Sequence, residues 1–405
     1  MTALHVWLRG EHLGEVEQVR TGRARLRFSG AAVSQWGEGS RPLSLSLPVT
    51  ASRVEGAQLD VFLDGLLPEG ALRAQLDREY GARTPFELLR RIGRECAGAV
   101  QFTLDDSRPG PGSLRALSEH EVTALVRDLP TLTPPDGLPI GASLGGVQAK
   151  LLLTRTRDGW AWPTDGAVST HIIKPQSLDP SSPALLVVSE HWAMQIAATA
   201  GVPVAQTELH EFDGRQAIIV ERYDRVDGER THQEDFTQAL SVPSLSKYES
   251  TLTGSTRLRS IAALAMPNAR DPRGFAARLF EALAFNTLIG NGDAHSKNYS
   301  LTIDSAALVE LAPLYDVAPV LFLGRFHHAG HAVAQQTDLR YITRRHLIDE
   351  AQSWGMKPAD AASALDDLVS RVARAIEHEP APGELADVVE KVASRMKSFS
   401  GEARL

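Results

Sequence analysis

The first hundred residues alternate between strand-like and helix-like spacings of apolar side chains. Over residues 4–29 the apolar positions recur with a period close to two, which predicts half-buried strands. Leucines alternate with serines over residues 43–47 and stop before Pro48, which predicts another strand. Helical spacing marks residues 57–80 and 84–92. This stretch is expected to form a small α+β unit.

The spacing of apolar residues changes after residues 107–113. This segment, Ser-Arg-Pro-Gly-Pro-Gly-Ser, is rich in residues that break helices and strands, which predicts a linker. Ser118 and Glu121 then have the spacing of a capping box that opens a helix. Short apolar runs beyond this point predict strands, and one longer run predicts a helix. These are the strands 151–156, 160–163, 170–174, 204–212 and 216–222, and the helix at about 184–200.

From residue 230 onward the pattern is mainly helical. A long helix that includes Phe275 is expected to end at Gly290, and three more helices are expected after Tyr341. The sequence therefore predicts an α+β protein with a protein-kinase-like two-lobed fold, in which a strand-rich lobe precedes a helical lobe. A small α+β N-terminal subdomain comes first. The predicted divisions are 1–106, 107–226 and 227–405.

Composition narrows the class of protein. The 405 residues include 42 basic and 50 acidic side chains, a net charge of −8 that does not favour a nucleic-acid partner. The single cysteine, Cys96, excludes an internal disulfide and fits a reducing compartment. The start of the chain does not resemble a secretory signal, and no apolar run approaches the roughly 18 residues of a membrane helix. We expect a cytoplasmic protein without a membrane partner.

Kinase-like phosphotransfer needs a few side chains in a fixed order. A strand lysine contacts the ATP phosphates, and a glutamate on the next helix orients it. An Asp-x-x-x-x-Asn loop supplies the base and one metal ligand, and a later aspartate supplies another. The chain has Lys174, Glu190, Asp293 with Asn298, and Asp316 in that order. Carboxylate and amide oxygens are ligands that Mg²⁺ prefers, so the set predicts use of ATP and Mg²⁺.

Each of these residues also has an ordinary structural interpretation. Lys174 could lie on an edge strand, Asp293 in a turn, Asp316 at a helix cap and Glu190 on a solvated helix face. Their common order favours phosphotransfer over four unrelated coincidences. The chain lacks G-x-x-x-x-G-K-[ST], which excludes a P-loop nucleotide site. Adjacent glycines within residues 141–150 suit a phosphate-facing loop, although on the glycines alone an ordinary tight turn is the preferred interpretation.

Several sequence blocks, taken together, resemble the HipA family over nearly the whole chain. One of them is Gly-Asp-Ala-His-Ser-Lys-Asn at residues 292–298. The other blocks are residues 45–48, 66–70, 92–98, 143–150, 220–225, 232–238, 247–249 and 314–317.

The resemblance implies a serine/threonine-protein kinase that acts as the toxin of a type II toxin–antitoxin module. It implies that Asp293 is the catalytic base, that Asn298 and Asp316 hold Mg²⁺, and that Lys174 contacts the ATP phosphates. It further implies an ATP-proximal loop, a hinge that meets adenine and residues on the phosphate side. The implied nucleotide-binding residues are Gly145, Gly146, Val147, Gln148, Ala149, Lys150, Lys174, Glu221, Arg222, Tyr223, His295, Ser296, Lys297, Asn298, Tyr315 and Asp316.

The resemblance also implies a partner, a substrate and a form of self-regulation. The partner is a HipB-like helix-turn-helix antitoxin, through which most DNA contact is made. The implied substrate is a protein of translation such as an aminoacyl-tRNA synthetase. Ser143 matches a serine whose autophosphorylation expels the loop and switches the kinase off. A phosphate there adds roughly −1.5 to −2 charges beside Mg-ATP, which makes expulsion electrostatically reasonable.

Two other functions remain open at this point. Aminoglycoside and choline kinases share the Gly-Asp-x-His-x-x-Asn pattern, so a small-molecule phosphotransferase is one alternative. A catalytically silent module that binds an antitoxin and DNA is the other. The Ser143 loop and the N-terminal part weigh against the first. The intact set of Asp293, Asn298 and Asp316 weighs against the second.

Overall fold

The chain divides into two units that interleave along the sequence. The computed structural model describes residues 3–20, 22–140, 148–249, 255–324 and 327–400. The first unit comprises Met1–Pro175, His210–Ser244 and Leu301–Leu308. The second unit comprises Gln176–Leu209, Leu245–Ser300 and Val309–Leu405. The division at 1–106, 107–226 and 227–405 stays a prediction.

The N-terminal part forms a five-stranded sheet with helices. Its elements are β1 (Ala3–Leu8), β2 (Glu11–Gln18), β3 (Ala24–Phe28), α1 (Gly30–Trp36), β4 (Val54–Glu55), α2 (Ala57–Gly65), α3 (Gly70–Tyr80), α4 (Pro85–Ile92) and β5 (Val100–Thr103). The strand order is β4-β3-β2-β1-β5, with antiparallel neighbours. Leu8, Leu13 and Leu26 are fully buried in the core of this unit, which confirms the strands expected from the period of two.

The helix predicted over residues 57–80 is two helices. Helix α2 ends at Gly65 and α3 begins at Gly70. Pro68 lies between them, and proline lacks the amide hydrogen that a continuous helix would need. It also disfavours the helical conformation for the preceding Leu67. The prediction at 84–92 is confirmed, because α4 begins at Pro85 and the Thr84 side chain accepts from the backbone of Glu87 at its N-terminus.

Residues 43–47 form turns, so the strand predicted there is wrong. The leucines are buried as the alternation suggested, but their backbone groups bind side chains instead of a neighbouring strand. The Leu45 N–H donates to Oε1 of Glu234 at 2.7 Å. The Leu43 carbonyl lies 2.8 Å from Nε2 of His232, within hydrogen-bond distance. Both partners are remote in sequence, and a local pattern cannot reveal them.

The middle of the chain contains a second sheet. This part of the chain contains β6 (Ser113–Leu117), α5 (Glu119–Asp128), β7 (Leu151–Thr156), β8 (Gly159–Thr164), β9 (His171–Pro175), α6 (Leu186–Thr199), β10 (Thr207–Phe212), β11 (Arg215–Glu221), β12 (Arg225–Val226), β13 (Glu229–Arg230), β14 (His232–Asp235) and α7 (Phe236–Ala239). Strands β12, β13 and β14 lie outside the second sheet. The strand order is β10-β11-β9-β7-β8-β6. Each predicted strand from residue 151 to 222 has its counterpart, and the Ser118–Glu121 capping box is present.

The C-terminal part is mainly helical. Its elements are α8 (Arg257–Ala265), α9 (Pro272–Ile289), β15 (Ser300–Ile303), β16 (Val309–Leu311), β17 (His328–Val333), β18 (Gln336–Asp338), α10 (Arg344–Ser353), α11 (Pro358–His378) and α12 (Ala386–Lys397). Within the second unit, α11 packs against α6, α9, α10 and α12. The end of α9 at Gly290 and the three helices after Tyr341 are as predicted. In the parts of the chain that the structure describes, no helix has the length and apolar character to cross a membrane.

Candidate active site

Helix α9 leads directly into the loop that contains the predicted base. The second half of this helix is buried from Ala282 to Ile289, so its end is held firmly by packing. Gly290 then takes a left-handed conformation, with φ of 82°, which costs glycine little and ends the helix. The chain turns directly into residues 291–298.

The loop exposes one carboxylate. Residues 291–300 are all described, and within them Asp293 alone is partly exposed whereas the others are buried. The Asp293 side chain is 34% exposed. A buried loop with many internal contacts is rigid, so it can hold a reactive group in one position.

Three asparagines fix the backbone around Asp293. The Asp293 N–H donates to Oδ1 of Asn291 at 3.1 Å, and Nδ2 of Asn291 donates to Oδ1 of Asn286 at 2.8 Å. Asn286 belongs to α9, so the loop is tied to the helix that precedes it. At the other end of the loop, Nδ2 of Asn298 donates to the Asp293 carbonyl at 2.9 Å. The first and last residues of the Asp-x-x-x-x-Asn motif are therefore bound to each other.

Tyr248 contacts the predicted base directly. Its hydroxyl donates a hydrogen bond to Oδ1 of Asp293. Its ring meets the His295 ring edge-on, with centroids 4.8 Å apart. Burial and the Asp293 carboxylate raise the pKa of the Tyr248 phenol well above its usual value. Sequence reasoning noted residues 247–249 as a family block but assigned Tyr248 no role.

His295 is a neutral imidazole beside the carboxylate. Burial, together with the charge of Lys247, lowers the pKa of His295 to about 4. Its Nε2 lies 3.9 Å from Oδ1 of Asp293. Among the described residues, Nδ1 of His295 has no hydrogen-bond partner. At neutral pH this histidine therefore carries no positive charge that would pair with Asp293.

The Asp316 carboxylate is close enough to Tyr248 and His295 to interact with both electrostatically. Its carboxylate acts on the pKa of both Tyr248 and His295. Its backbone φ is 58°, a left-handed conformation that aspartate tolerates better than most residues. Such conformations concentrate at functional sites, where the surrounding structure must hold them.

The donor set fits Mg²⁺. Asn298 uses its amide nitrogen on the Asp293 carbonyl, which orients the amide oxygen as its available ligand atom, and Asp316 offers a carboxylate. Over the described residues, no group of three or more His, Cys, Asp or Glu side chains could hold a metal ion. Mg²⁺ usually takes one or two protein oxygens and completes its shell with substrate phosphates and water.

Three other predicted nucleotide-binding residues, in or near this loop, make contacts within the second unit. The Tyr315 hydroxyl donates to the Lys297 carbonyl at 2.8 Å and lies 2.7 Å from the Ser300 hydroxyl. Ser296 is buried, and its hydroxyl accepts from the Arg257 guanidinium at 3.2 Å. Lys297 is also buried. Any part that these side chains take in binding ATP stays a prediction.

The first unit holds the remaining candidates. Lys174 is 7% exposed and lies on β9, which is flanked by β7 and β11, so the edge-strand interpretation is wrong. Gln148, Ala149 and Lys150 are partly buried just before β7. The predicted Ser143, Gly145, Gly146 and Val147 lie outside the described residues. In the second unit, Glu190 on α6 is 2% exposed, which contradicts the solvated-helix interpretation.

The predicted hinge follows β11. Glu221 is exposed and pairs with His171 of β9. The Tyr223 hydroxyl donates to Oε1 of Gln233 at 2.8 Å. The Arg222 side chain is buried and belongs to an ion-pair cluster. Its guanidinium is thus committed to protein contacts.

This ion-pair cluster joins the predicted hinge to Glu95, which lies between α4 and β5. Arg222 and Arg225 both donate to Oε1 of Glu95 at 3.2 Å and to Oδ2 of Asp224 at 2.8 Å. Arg230 donates to Oε2 of Glu95. Burial acts to raise the pKa of Glu95, but the three guanidinium charges outweigh it and hold that pKa below its usual value.

A central-strand lysine in one unit and a rigid Asp-x-x-x-x-Asn loop in a helical unit define the class: a kinase with a protein-kinase-like two-lobed fold. Residues 142–376 match the HipA-like C-terminal domain, and residues 4–103 match the HipA N-terminal domain. The chain belongs to the HipA family of serine/threonine-protein kinase toxins.

Individual relatives agree with this assignment. The serine/threonine-protein kinase toxin HipA of Shewanella oneidensis is 32% identical over 365 residues, which span 84% of this chain and 81% of the relative. A Sinorhizobium fredii protein named as a kinase, Y4mE, is 36% identical over 331 residues, 78% of this chain and 76% of its own. A solved Shewanella oneidensis complex of HipA, HipB and operator DNA contains a chain that is 27% identical, with a TM-score of 0.81 over 98% of this chain and 97% of that one.

Proposed function

We propose that this kinase transfers the γ-phosphate of ATP to serine or threonine in a protein, with Mg²⁺ as the required metal and Asp293 as the catalytic base. The observation that carries the proposal is the single carboxylate that the buried loop 291–300 exposes. Hydrogen bonds to Asn291 and Asn298 hold its backbone. A general base needs this fixed placement and partial access to the acceptor.

The neighbouring His295 adds no positive charge that would weaken Asp293 as a base. Because His295 is neutral at neutral pH, no imidazolium stabilises the ionised carboxylate and weakens its basicity. In the proposed step, the acceptor hydroxyl gives its proton to Asp293 as its oxygen bonds to the γ-phosphorus. The bond from that phosphorus to the β-phosphate oxygen breaks, and ADP leaves.

Other predicted residues supply the proposed binding groups. Asn298 and Asp316 would hold Mg²⁺ by an amide oxygen and a carboxylate. Bound Mg²⁺ neutralises phosphate charge. The family resemblance further implies that Lys174 contacts the ATP phosphates, that the segment up to Lys150 is the ATP-proximal loop, and that backbone groups at Glu221 and Tyr223 meet adenine. The phosphate side includes His295 and Lys297, as the family resemblance implies.

We propose the biological role on the same basis. The Shewanella relative is named as a toxin and is solved with HipB and operator DNA, so a HipB-like helix-turn-helix antitoxin is the proposed partner. A net charge of −8 favours DNA contact mainly through that antitoxin. The proposed target is a cytoplasmic translation component such as an aminoacyl-tRNA synthetase, and the proposed self-inactivation is autophosphorylation at Ser143.

The test measures transfer from γ-labelled ATP to myelin basic protein, a general acceptor for serine/threonine kinases. We expect transfer by the wild type and at least a roughly 10²-fold loss in Asp293→Asn, since a positioned base contributes about 10²–10⁴-fold. Asp213→Asn is the matched control, because Asp213 is an exposed turn residue of the first unit that belongs to none of the predicted site residues. Equal transfer by Asp293→Asn and the wild type would refute the base assignment.

The metal assignment is tested by binding. We expect Asp316→Asn to weaken ATP binding by about tenfold in Mg²⁺, the lower end of the effect of losing a metal-site contact, and to leave it unchanged in EDTA. Asp213→Asn is again the control, since its φ of 49° is also left-handed and asparagine tolerates that conformation. If calorimetry finds the same Mg-ATP affinity in Asp316→Asn and in the wild type, Asp316 is not a ligand.

A further inference from the structure

Tyr248 donates a hydrogen bond to the carboxylate of Asp293. The two residues are 45 positions apart in sequence, and the phenol hydroxyl donates to Oδ1 of the aspartate. The contact is not an incidental surface bond, because Tyr248 is partly buried and its ring packs edge-on against His295 at 4.8 Å. One ring contact and one hydrogen bond together fix the orientation of the phenol.

The backbone on each side of Tyr248 is anchored in the second unit. The Lys247 carbonyl accepts from the Ser296 N–H at 3.1 Å and from the Arg257 guanidinium at 2.9 Å. On the other side, the Glu249 N–H donates to the Gly330 carbonyl at 3.0 Å.

The Glu249 side chain adds two more bonds. Its Oε1 accepts from the Arg257 N–H at 2.9 Å, and its Oε2 accepts from the Ala332 N–H at 3.0 Å. The three residues from Lys247 to Glu249 therefore form a strap along the catalytic loop, with the tyrosine hydroxyl at its centre.

We propose that Tyr248 is a positioning residue of the kinase: it fixes the orientation of the Asp293 carboxylate from which the acceptor proton is taken. The inference rests on the proposed function of Asp293 as the base. An aspartate side chain rotates about two bonds, and a partly exposed carboxylate samples several rotamers unless a partner holds it. The Tyr248 hydrogen bond restricts that sampling before the acceptor arrives, so the proton transfer starts from the productive orientation.

A different role would give a different kinetic result. If the Tyr248 hydroxyl merely occupied the place of the acceptor, its removal would leave the maximal rate unchanged and tighten acceptor binding. A positioning role lowers kcat and leaves the KM values for ATP and acceptor close to those of the wild type, since Tyr248 then acts on the base and not on the substrates.

The kinetic test uses Tyr248→Phe, which keeps the ring packing and removes the hydroxyl. With γ-labelled ATP and myelin basic protein, we expect kcat to fall at least about tenfold, part of the roughly 10²–10⁴-fold that a general base contributes, and both KM values to stay within about twofold. Tyr80→Phe is the matched control, because Tyr80 is partly buried in the first unit and its hydroxyl bonds to the backbone of Ile140. Wild-type kcat in Tyr248→Phe, or an unchanged kcat with a lower acceptor KM, would overturn the proposal.

Asp293→Asn is assayed under the same conditions as Tyr248→Phe. If Asp293→Asn is inactive while Tyr248→Phe is fully active, this inference fails and the proposed function stands. If Asp293→Asn is as active as the wild type, the proposed function itself fails. The inference that Tyr248 positions a base then fails as well.

A second measurement does not need turnover. The chain has six tyrosines, so 3-fluorotyrosine labelling gives a small ¹⁹F NMR spectrum in which Tyr248→Phe identifies the signal of residue 248. We expect that signal to shift between the wild type and Asp293→Asn, because the phenol loses its charged acceptor. The Tyr80 signal should stay in place. An unmoved Tyr248 signal would overturn the proposal even for a protein that phosphorylates no tested acceptor.

Discussion

The side-chain amide of Asn298 donates to the backbone carbonyl of Asp293 at 2.9 Å, which closes the Asp-x-x-x-x-Asn loop on itself. The six-residue motif is therefore a structural unit as well as a chemical one. The same asparagine that is proposed to offer Mg²⁺ its amide oxygen holds the base in place with its amide nitrogen.

Asn298→Ala should consequently impair two functions at once. We expect phosphotransfer to fall by about 10–100-fold, as for a lost partner of a metal site, because the loop loses its closing bond and the metal loses a ligand. The rate of labelled phosphate transfer checks this. Asn268→Ala is the matched control, because its amide makes a comparable 3.0 Å bond to the Leu264 carbonyl. A rate for Asn298→Ala equal to that of this control would contradict the assignment.

The backbone of the loop that contains Asp293 leaves no room for a side chain at Gly330. A Cβ on Gly330 would collide with the carbonyl carbon and oxygen of Ala294 and with the amide nitrogen of His295. These are backbone atoms that cannot rotate away, so Gly330→Ala must displace the loop or strand β17.

We expect Gly330→Ala to lower phosphotransfer by at least about tenfold while circular dichroism still shows a folded protein, since a displacement of about 1 Å can cost around 10²-fold in rate. Gly383→Ala is the control, because a Cβ there meets no atom within 4 Å. Full activity of Gly330→Ala would show that the loop tolerates displacement.

Glu95 should be a principal stabilising residue of the first unit. Glu95→Gln leaves Arg222, Arg225 and Arg230 with too little negative charge in a buried site, and breaking a buried ion pair costs about 3–5 kcal/mol. Urea unfolding should show this loss at pH 7. The exposed Glu79→Gln should change the free energy of unfolding by no more than about 0.5 kcal/mol.

The Glu95 contribution also has a defined pH dependence. Its folded pKa is lowered, so the stabilisation is present above the unfolded value of about 4.3 and is lost as the pH falls through the folded pKa. The difference in stability between wild type and Glu95→Gln should therefore shrink in acid. A difference that stays constant down to about pH 3 would contradict the ion-pair account.

Glu234 should give the opposite dependence. Burial raises its pKa to about 8, and among the described residues its Oε2 has no hydrogen-bond partner. A raised folded pKa means that its stabilisation is full below about 4.3 and is lost as the pH rises toward 8.

Between about pH 5 and pH 8, the wild type should lose stability relative to Glu234→Gln, which cannot ionise. Urea unfolding of both proteins at the two pH values measures this. Arg41 and Asp235 also act on the Glu234 carboxyl, and its raised pKa already includes their effect. Parallel pH curves would show that Glu234 is ionised in the folded state.

Local patterns were enough for most elements and for the central chemistry. The apolar run of α9 and the glycine after it predict where the catalytic loop begins, and the fixed order of Lys174, Asp293 and Asp316 predicts kinase chemistry. The first signal is local, because helix ends and short loops are determined by neighbouring residues. The second is the order of motifs along the chain, which can be found without knowledge of their contacts.

Features that depend on distant partners could not be predicted. Residues 43–47 alternate as a strand does, yet Glu234 and His232 bind their backbone and no strand forms. Tyr248 reaches Asp293 across 45 residues, and no spacing rule connects them. The burial of the Arg222 side chain in the Glu95 cluster is equally a result of tertiary contacts.

We propose that Asp293 makes this chain an active kinase that phosphorylates its own Ser143. The decisive measurement is intact mass and phosphosite mapping of the purified protein after incubation with Mg-ATP, with Asp293→Asn treated in the same way. We expect one phosphate on Ser143 in the wild type and none in the variant. Phosphate on Ser143 in both proteins, or none in a wild type that binds ATP, would contradict it.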